Sequence, residues 1–249
     1  MKQKNENWQV IRLQETISTN SFLKELLKED ALADRIVAVT EFQRAGRGQR
    51  GNSWIGDKGK NLLFSILVHP ATILAKDQFI LSQIVSLSVK KTFDCYAKHI
   101  RIKWPNDIYW KDKKLGGILI ENDLQDQYLQ SSIIGIGLNI NQVDFQKALP
   151  NPVSLKQILG IDSNRNLILD RILQIFFGLY DRLSQEGATS IEKEYMESLY
   201  RGDGLYGFED SNGPFQARIE GVRPSGHLVL RTSDGDERVY AFKEVQFML

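Results

Sequence analysis

The chain has 249 residues, of which 42% are hydrophobic and 25% are charged, and these values are ordinary for a globular protein. Its 32 basic and 31 acidic side chains nearly balance. This balance argues against nucleic acid as the main partner, because nucleic-acid-binding proteins usually carry a basic surface. The polar N-terminus and the short apolar runs predict no signal peptide and no bilayer-spanning segment of roughly 20 residues. We therefore expect a cytoplasmic protein that makes no membrane contact.

The single cysteine, Cys95, cannot form an internal disulfide. Because it lies in an apolar stretch, we expect its side chain to be buried as a small hydrophobic group and not to act as a nucleophile. A chain so poor in cysteine fits a reducing compartment, in agreement with a cytoplasmic location.

Strand and helix patterns are mixed along the first part of the chain. β-branched or alternating segments predict strands, and apolar residues at helical spacing predict helices. Thr19 or Asn20 can cap the first helix, and Thr189 with Glu192 predicts a capping box for a short later helix. The predicted strands cover residues 8–13, 35–42, 61–69, 100–103, 114–121 and 129–140, and the longer helices cover residues 21–30, 77–96 and 167–184.

The sequence changes character after about residue 200, where glycines and Asp-Gly pairs separate short alternating segments. This pattern predicts a small all-β unit of about five strands. We therefore predict a first domain over residues 1–197 and a small β domain over residues 198–249. Strands and helices in the first domain do not alternate in strict βαβ order, so the predicted fold class is α+β and not a doubly wound sheet.

The stretch from Arg44 to Trp54 reads Arg-Ala-Gly-Arg-Gly-Gln-Arg-Gly-Asn-Ser-Trp and combines three glycines with three arginines. Glycines let the backbone approach a ligand closely, and the amides of such a loop can form a concavity for anions. The arginines add bidentate donors for phosphate or carboxylate. By itself the stretch also fits a solvated basic loop or an Arg/Gly contact to RNA. It is not a Walker loop, because the Gly-Lys-Ser/Thr ending is absent.

A second motif, Lys103-Trp104-Pro105-Asn106-Asp107, comes at the end of a predicted strand and predicts a turn. Asp107 can hold Mg²⁺ or fix a neighbouring lysine, although such a turn is often purely structural. Lys114 opens the segment Lys-Leu-Gly-Gly-Ile-Leu-Ile-Glu. A lysine before two glycines can point into a tight cavity, and a solvated surface lysine is the alternative.

A third motif, Gly135-Ile-Gly-Leu-Asn-Ile-Asn141, places alternate glycines in a predicted strand. Such glycines remove the side chains from one face and expose the backbone to a flat ligand. The alternative is a strand beneath a closely packed helix. Ser18-Thr19-Asn20 by itself predicts only a helix cap.

Taken together in chain order, the motifs resemble those of the biotin protein ligase family over residues 16–141. They are Ser-Thr-Asn, Glu-Phe-Gln-x-Ala-Gly-Arg-Gly-x-Arg-Gly-x-x-Trp, Lys-Trp-Pro-Asn-Asp, Lys-Leu-Gly-Gly-Ile-Leu-x-Glu and Gly-x-Gly-x-Asn-x-Asn. The resemblance implies a class II synthetase-like catalytic domain, with a mixed seven-stranded sheet and helices on one side, followed by a small SH3-like β barrel. It also implies a ligase that uses ATP and Mg²⁺ to activate biotin as biotinyl-AMP. The biotin is then transferred to a lysine of a biotin carboxyl carrier protein of a carboxylase.

The resemblance implies a biotin site. Polar side chains of the Ser-Thr-Asn and Glu-Phe-Gln motifs would hydrogen-bond the ureido ring, and a lysine would bind the carboxylate. The alternate glycines would offer backbone to the ring, and the glycine-arginine segment would close over the ligand. The residues so implied are Ser18, Thr19, Gln43, Gly46, Arg47, Lys114, Gly135 and Gly137.

The resemblance also implies a nucleotide site. Arg47 would reach the phosphate, Trp54 would cover the adenine side, and Asp107 would lie near Mg²⁺. Biotin's carboxylate must attack an anionic phosphate, so Arg47, Lys103 and Lys114 would act in catalysis by offsetting the repulsion. No motif identifies the base that deprotonates the carrier lysine. The residues implied in ATP binding are Arg47, Gly48, Gln49, Arg50, Gly51, Trp54, Lys103, Asn106 and Asn139.

Gln49 departs from the best-known family pattern, which has arginine at that position, and we expect weaker retention of biotinyl-AMP. The alternative enzyme is a lipoate–protein ligase, and the alternative of another class is an RNA-binding module that uses the Arg/Gly stretch. Only 17 residues precede Ser18, whereas a DNA-binding domain needs roughly 60. We therefore expect a monofunctional enzyme with no DNA partner, and the sequence leaves a monomer and a homodimer open.

Overall fold

The computed structural model describes residues 7–29, 34–146 and 149–248, and among these it leaves out the side chain of Arg50. Each strand and long helix predicted from the sequence has a counterpart there. Short 3-10 helices lie at Gln49–Gly51 and Ala75–Asp77. The other elements are β1 (Gln9–Leu13), α1 (Thr19–Glu29), β2 (Ile36–Thr40), β3 (Gly46–Arg47), β4 (Ser53–Trp54), β5 (Leu62–Val68), α2 (Phe79–Phe93), β6 (Ile100–Lys103), β7 (Asp107–Trp110), β8 (Lys113–Gln125), β9 (Tyr128–Leu138), α3 (Leu155–Leu159), α4 (Arg165–Glu186), α5 (Thr189–Glu197), β10 (Tyr206–Asp210), β11 (Gly213–Val222), β12 (Leu228–Thr232), β13 (Glu237–Tyr240) and β14 (Gln246–Phe247).

The chain divides into two compact units. The first unit comprises Met1–Ala75 and Lys113–Asp170, and the second comprises Lys76–Asp112 and Arg171–Leu249. The predicted domain boundary between residues 197 and 198 falls inside the second unit and stays a prediction.

The longer strands up to β9 form a seven-stranded sheet in the order β1-β2-β5-β9-β8-β7-β6. β1 and β2 run parallel, whereas the pairs β2–β5, β5–β9, β8–β9 and β6–β7 are antiparallel. The predicted mixed seven-stranded sheet is therefore confirmed. β2 and β5 are buried at every residue, as expected for central strands whose two faces are both covered.

Helix α1 packs against β2, β5 and β9 in the first unit. It begins at Thr19, so the prediction that Thr19 or Asn20 caps the helix is wrong: both residues lie inside its first turn. The arrangement of all helices on one side of the sheet stays a prediction. The buried cluster between α1 and the sheet consists of Leu23, which α1 contributes, and of Ile36, Ala38, Leu67 and Ile133 from the strands.

The other predicted cap is also wrong. Helix α5 begins at Thr189, and no side chain caps it, because Thr189 lies one position too late to be the cap. A capping box does form at α3 in the first unit, where Ser154 and Gln157 each bond the other's backbone N–H. The sequence pattern does not predict this short helix.

Strands β10 to β14 form an antiparallel five-stranded sheet in the order β13-β12-β11-β10-β14, which confirms the predicted all-β unit. The Tyr240 hydroxyl on β13 donates to Asp210 Oδ2 on β10 over 2.7 Å, although two strands lie between them in the sheet order. Because neighbouring strands are about 4.8 Å apart, this bond indicates a curved sheet. Closure into an SH3-like barrel stays a prediction.

Cys95 is exposed, which contradicts the expectation of a buried thiol. The buried face of α2 ends at Phe93, so Cys95 lies beyond it, and its sulfur accepts a hydrogen bond from Arg171 over 3.0 Å. Across residues 7–29, 34–146 and 149–248, no helix is long and apolar enough to cross a membrane.

Candidate active site

One face of the sheet in the first unit is built around glycines. The strand register places Leu119 of β8 and Ser65 of β5 beside Gly135 of β9, and it pairs Gly117 with Gly137. Residues that pair directly across strands share a face, so these five residues lie on one side of the sheet. We call this side the glycine face.

The space above each of the two β9 glycines is filled by a neighbouring side chain. A β-carbon at Gly135 would lie 2.3 Å from Asn20 Oδ1, and one at Gly137 would lie 2.5 Å from Trp54 Cε2. The two glycines therefore allow a close approach to the backbone, as predicted. In this structure the groups that approach are the side chains of Asn20 and Trp54. The predicted contact of both glycines with the biotin ring stays a prediction.

A buried hydrogen-bond network joins α1 to the glycine face. The Ser65 hydroxyl oxygen lies 2.6 Å from both Thr19 Oγ1 and Asn20 Oδ1. Gln43 Oε1 accepts the Thr19 backbone N–H over 2.8 Å and lies 3.2 Å from the Thr19 hydroxyl oxygen. Gln43 thus satisfies a donor at the start of the helix, and its amide NH₂ group is the part suited to donate to a ligand. Ser18, which is also buried, comes directly before this turn.

Arg47 and Glu121 form an ion pair beside this network. Arg47 Nη1 donates to Glu121 Oε1 over 3.0 Å, and Nη2 donates to Oε2 over 2.6 Å. Glu121 Oε2 also accepts from Asn20 Nδ2 over 2.7 Å. The guanidinium predicted to reach the phosphate is therefore engaged by a carboxylate in this structure, through two of its five N–H donors.

The glycine-arginine segment is a short β ribbon and not an irregular loop. β3 and β4 pair Gly46 with Trp54, and the 3-10 helix Gln49–Gly51 lies at the tip. Gly46 is required there, because a β-carbon would lie 2.4 Å from the Trp54 carbonyl oxygen. Gly51 has φ of +84°, a conformation that favours glycine. The predicted ATP contacts of Gly48, Gln49 and Gly51 stay predictions, and the predicted Arg50 contact lies outside the described side chains.

The Trp54 indole lies on the glycine face over Gly137. Its Nε1 atom is buried and has no hydrogen-bond partner within the described part of the chain. A buried N–H without an acceptor is costly, which makes a ligand oxygen near Nε1 favourable. The predicted position beside adenine stays a prediction, and any ligand ring that packs on Gly137 must displace the indole.

Lys114 and Asn139 meet through the backbone at the other end of β8. The Asn139 side-chain amide donates to the Val153 carbonyl over 3.2 Å and lies 3.5 Å from the Lys114 carbonyl. Asn139 is 5% exposed, so its visible role is to join backbone segments. Lys114 is half-buried and precedes the first β8–β9 pair at Gly116, so strand alternation does not fix the direction of its side chain. Both predicted ligand contacts stay predictions.

Lys103, Asn106 and Asp107 belong to the second unit. Lys103 Nζ donates to the Tyr109 hydroxyl over 3.2 Å and lies 5.3 Å from the centre of the Phe247 ring. Lys103 pairs with Asp107 across the β6–β7 hairpin, whose turn contains Asn106. The lysine thus contacts aromatic rings in this structure, and its predicted phosphate role stays a prediction.

Groups of three or more His, Cys, Asp or Glu side chains able to hold a metal are absent from the described residues. Mg²⁺ that enters with ATP needs no such group, since it commonly uses one or two carboxylates together with phosphate oxygens. The half-buried carboxylate of Asp107 is chemically suited to that role.

Sequence reasoning missed Glu121 and Ser65, which complete the network. Glu121 ends the Lys-Leu-Gly-Gly-Ile-Leu-Ile-Glu motif, and its place beside the glycines was an available signal. Ser65 is the one polar residue in the strand Leu62–Val68, which is buried throughout. A hydroxyl in such a strand needs a partner, and this requirement was the signal for Ser65.

The chain is similar to known proteins of one family. Residues 11–139 match the biotin/lipoate A/B protein ligase family. The chain is 32% identical over 229 residues to the bifunctional ligase/repressor BirA of Bacillus spizizenii, covering 90% of this chain and 70% of that protein. It is 29% identical over 240 residues to the biotin–[acetyl-CoA-carboxylase] ligase of Paracoccus denitrificans, covering 92% and 97%. The biotin protein ligase of Aquifex aeolicus, solved with biotin and ATP, shares the fold with a TM-score of 0.79 at 23% identity over 96% of this chain and 99% of that one.

Proposed function

Because this chain belongs to the biotin/lipoate A/B protein ligase family, we propose that it is a biotin protein ligase. In the first step the carboxylate of biotin attacks the α-phosphorus of ATP, which gives biotinyl-AMP and pyrophosphate. In the second step the amino group of a carrier lysine attacks the biotinyl carbonyl, which forms an amide and releases AMP and a proton. The relatives named for biotin–protein and biotin–[acetyl-CoA-carboxylase] ligation support this assignment.

The polar network on the glycine face carries the choice of biotin over lipoate. Thr19, Gln43 and Ser65 bring two hydroxyl groups and an amide together on the glycine face, beside the Asn20 side chain that covers Gly135. The ureido ring of biotin has two N–H donors and one carbonyl acceptor, whereas the dithiolane ring of lipoate has none of these groups. A site built to hydrogen-bond a polar ring can reject an analogue lacking it by about 10⁴–10⁵. The lipoate ring offers no group that can pair with the Gln43 NH₂ group or with the Thr19 hydroxyl oxygen.

The first step brings two anions together, and this chain's cations lower that barrier. Arg47 lies beside the network and offers two parallel N–H donors, the geometry that suits a phosphate. Its present partner is Glu121, so phosphate binding replaces one anionic partner by another. In this proposal Lys114 binds biotin's carboxylate, Lys103 and Asp107 serve the phosphates and Mg²⁺, and Mg²⁺ neutralises phosphate charge.

The product of the first step is a mixed anhydride that water destroys. The β3–β4 ribbon is joined to the rest of the first unit through Trp54 on Gly137 and through the Arg47–Glu121 pair. Movement of these two contacts would let the ribbon open for substrate and close over the adenylate, which excludes water.

The proposal extends to the carrier protein, the cellular location and the oligomeric state. The carrier is a biotin carboxyl carrier domain of a carboxylase, the enzyme is cytoplasmic, and it acts without binding DNA as a monomer or homodimer. The name of the Paracoccus relative supports the carrier assignment.

A mass-spectrometric assay with a purified carrier domain tests the function. With ATP, Mg²⁺ and biotin, the carrier should gain one biotinyl group, and a carrier whose acceptor lysine is arginine should gain none. Lipoate in place of biotin should give no product. Transfer of lipoate but not biotin would establish the alternative ligase. No transfer together with tight RNA binding would support the RNA-binding alternative.

A further inference from the structure

The network on the glycine face ends in a carboxylate. From Glu121 it runs through Asn20 and Ser65 to Thr19, a hydroxyl assigned to the biotin ring. We propose that Glu121 is a positioning residue that fixes the direction of the hydrogen bonds in this chain of groups, so that Thr19 Oγ1 faces the ligand as an acceptor for a ureido N–H. The inference rests on the proposed function and names a determinant of its substrate specificity.

The Glu121 end fixes the orientation of the Asn20 amide. Asn20 Nδ2 lies 2.7 Å from Glu121 Oε2 and 3.4 Å from the Leu119 carbonyl oxygen. A carboxylate and a carbonyl can only accept, so the NH₂ group must face them. The Asn20 carbonyl oxygen, Oδ1, is consequently turned towards Ser65, with which it makes a 2.6 Å contact.

Ser65 passes this direction on to Thr19. Asn20 Oδ1 cannot donate, so the single hydroxyl hydrogen of Ser65 belongs to that bond. The Ser65 hydroxyl is fully buried, and its other contact is the 2.6 Å approach of Thr19 Oγ1. For that contact to be a hydrogen bond as well, Thr19 must supply the hydrogen.

The consequence appears at the ligand end. The one hydroxyl hydrogen of Thr19 has two candidate acceptors, Ser65 Oγ at 2.6 Å and Gln43 Oε1 at 3.2 Å. The shorter contact to Ser65 takes it, because Gln43 Oε1 already accepts the Thr19 backbone N–H at 2.8 Å. What Thr19 Oγ1 offers to a ligand is therefore a lone pair, which matches a ureido N–H. If Ser65 donated to Thr19 instead, the hydroxyl hydrogen of Thr19 would be free to point at the ligand. It would then face the hydrogen of the ureido N–H, and no hydrogen bond could form.

Arg47 is not needed for this direction. It pairs with the same carboxylate through Nη1 and Nη2, but the Asn20 bond to Glu121 Oε2 persists if the guanidinium moves to a phosphate. Removing Arg47 and removing the charge of Glu121 should therefore have different effects on ring recognition.

The experiment measures discrimination between biotin and its two cyclic carbamate analogues, each with one ureido N–H replaced by oxygen, by isothermal titration calorimetry. In the unaltered protein one analogue should bind roughly tenfold or more weakly than biotin, because its ring oxygen then faces the Thr19 hydroxyl oxygen and both can only accept. The quantity compared among variants is the ratio of the dissociation constant of this analogue to that of biotin. In Glu121→Gln the side-chain amide can donate as well as accept, so both directions become available and the ratio should fall to roughly threefold or less. Ser65→Ala cuts the chain and should lower the ratio in the same way. Arg44→Ala, at an exposed side chain that pairs with Glu15 outside the network, should keep the original ratio.

Circular-dichroism melting curves establish that each variant is folded before titration, and Ser65→Ala tests the inference separately if Glu121→Gln does not fold. An unchanged ratio in a folded Glu121→Gln or Ser65→Ala protein would overturn the inference. So would equal binding of biotin and both analogues by the unaltered protein, although the proposed function would then survive. Failure of the unaltered protein to bind biotin at all would remove the proposed function and this inference with it.

Discussion

The indole of Trp54 lies against the backbone of Gly137, and three of its carbon atoms are 2.5 to 2.9 Å from the position a β-carbon would take there. β9 is paired at this point with β5 on one side and β8 on the other. The strand therefore cannot shift to make room, and the missing side chain at Gly137 is a steric requirement of the site.

We predict that Gly137→Ala forces Trp54 and the attached ribbon out of place. Displacements of about 1 Å at an active site can cost roughly 100-fold in rate, so biotin-dependent pyrophosphate release should fall by at least tenfold. Gly178→Ala is the matched control, because Gly178 is exposed in α4 and its β-carbon would meet nothing within 4 Å. Equal rates for the two variants would show that the packing of Trp54 does not matter for catalysis.

The sequence predicted those parts of the fold that depend on local pattern. The largely apolar strands β2 and β5, the helical spacing in α1 and the glycine-bounded strands after residue 200 all recur in the structure. Both predicted caps are wrong because a cap depends on where the helix starts to within one residue. Thr19 and Thr189 each proved to be the first helical residue, and tertiary contacts such as Gln43 on Thr19 decide that start.

The site was predicted as a set of motifs but not as a set of contacts. Nothing local in the sequence shows that Arg47 is held by a residue 74 positions away, or that Asn20 fills the space above Gly135. These contacts bring α1 and the β3–β4 ribbon against β8 and β9, and local pattern does not show which distant segments meet. For this reason Glu121 and Ser65 were found only in the structure.

We predict that Lys114→Ala removes most biotin adenylation, because biotin's carboxylate then lacks its cation. The rate should fall by roughly 100-fold, the cost of one lost preorganised donor. Pyrophosphate release from ATP and biotin measures this rate. The adjacent Lys113 is exposed, and Lys113→Ala should retain the original rate. A similar rate for both variants would make Lys114 an ordinary surface lysine.

We predict that Arg47→Ala weakens the binding of a non-hydrolysable biotinyl-AMP analogue by roughly tenfold to a hundredfold, as expected for lost charge-assisted hydrogen bonds. Removing Arg47 also leaves the Glu121 carboxylate without its ion pair and near the phosphate. Calorimetry measures the affinity. Arg44→Ala provides the control, because Arg44 lies in the same segment but is 63% exposed and pairs with Glu15 over 3.3 Å. Unchanged affinity in Arg47→Ala would exclude Arg47 from the phosphate site.

A pH-dependent contribution to stability is expected from Asp210 in the C-terminal sheet. The hydrogen bond from Tyr240, helped by the Asn212 backbone N–H and by Arg238, holds the pKa of Asp210 below its usual value. A carboxyl whose pKa is lower in the folded state stabilises the fold above its unfolded pKa of about 3.9, and this stabilisation is lost as the pH falls through the folded pKa.

We predict that Asp210→Asn lowers the melting temperature at pH 7 and that the difference from the unaltered protein shrinks between about pH 4 and pH 3. Circular-dichroism melting curves across that range measure it. Asp234→Asn, at an exposed turn, is the control, and its melting temperature should stay close to that of the unaltered protein at neutral and at acidic pH. A difference that stays constant with pH would mean that the charge of Asp210 does not contribute.

Gln49 lies at the tip of the β3–β4 ribbon, in the 3-10 helix Gln49–Gly51. Its side chain is half-buried. Its backbone carbonyl oxygen accepts the Asn52 backbone N–H over 3.2 Å, so this bond does not depend on the side chain. We predict that Gln49→Arg keeps the ribbon intact and slows the release of biotinyl-AMP, because a cation at the tip attracts the phosphate of the adenylate. The gain should be roughly twofold to fivefold, the usual value of a partly exposed ion pair.

The measurement uses adenylate formed on the enzyme from labelled biotin and ATP, followed by a chase with an excess of the unlabelled analogue. The rate at which label leaves the protein is compared among the unaltered chain, Gln49→Arg and Gln49→Met, where methionine matches the length of the side chain but carries no charge. Slower release only in Gln49→Arg, with the difference lost at high salt, would identify the added charge as the cause. Equal or faster release from Gln49→Arg would show that the glutamine does not weaken retention of the intermediate in this protein.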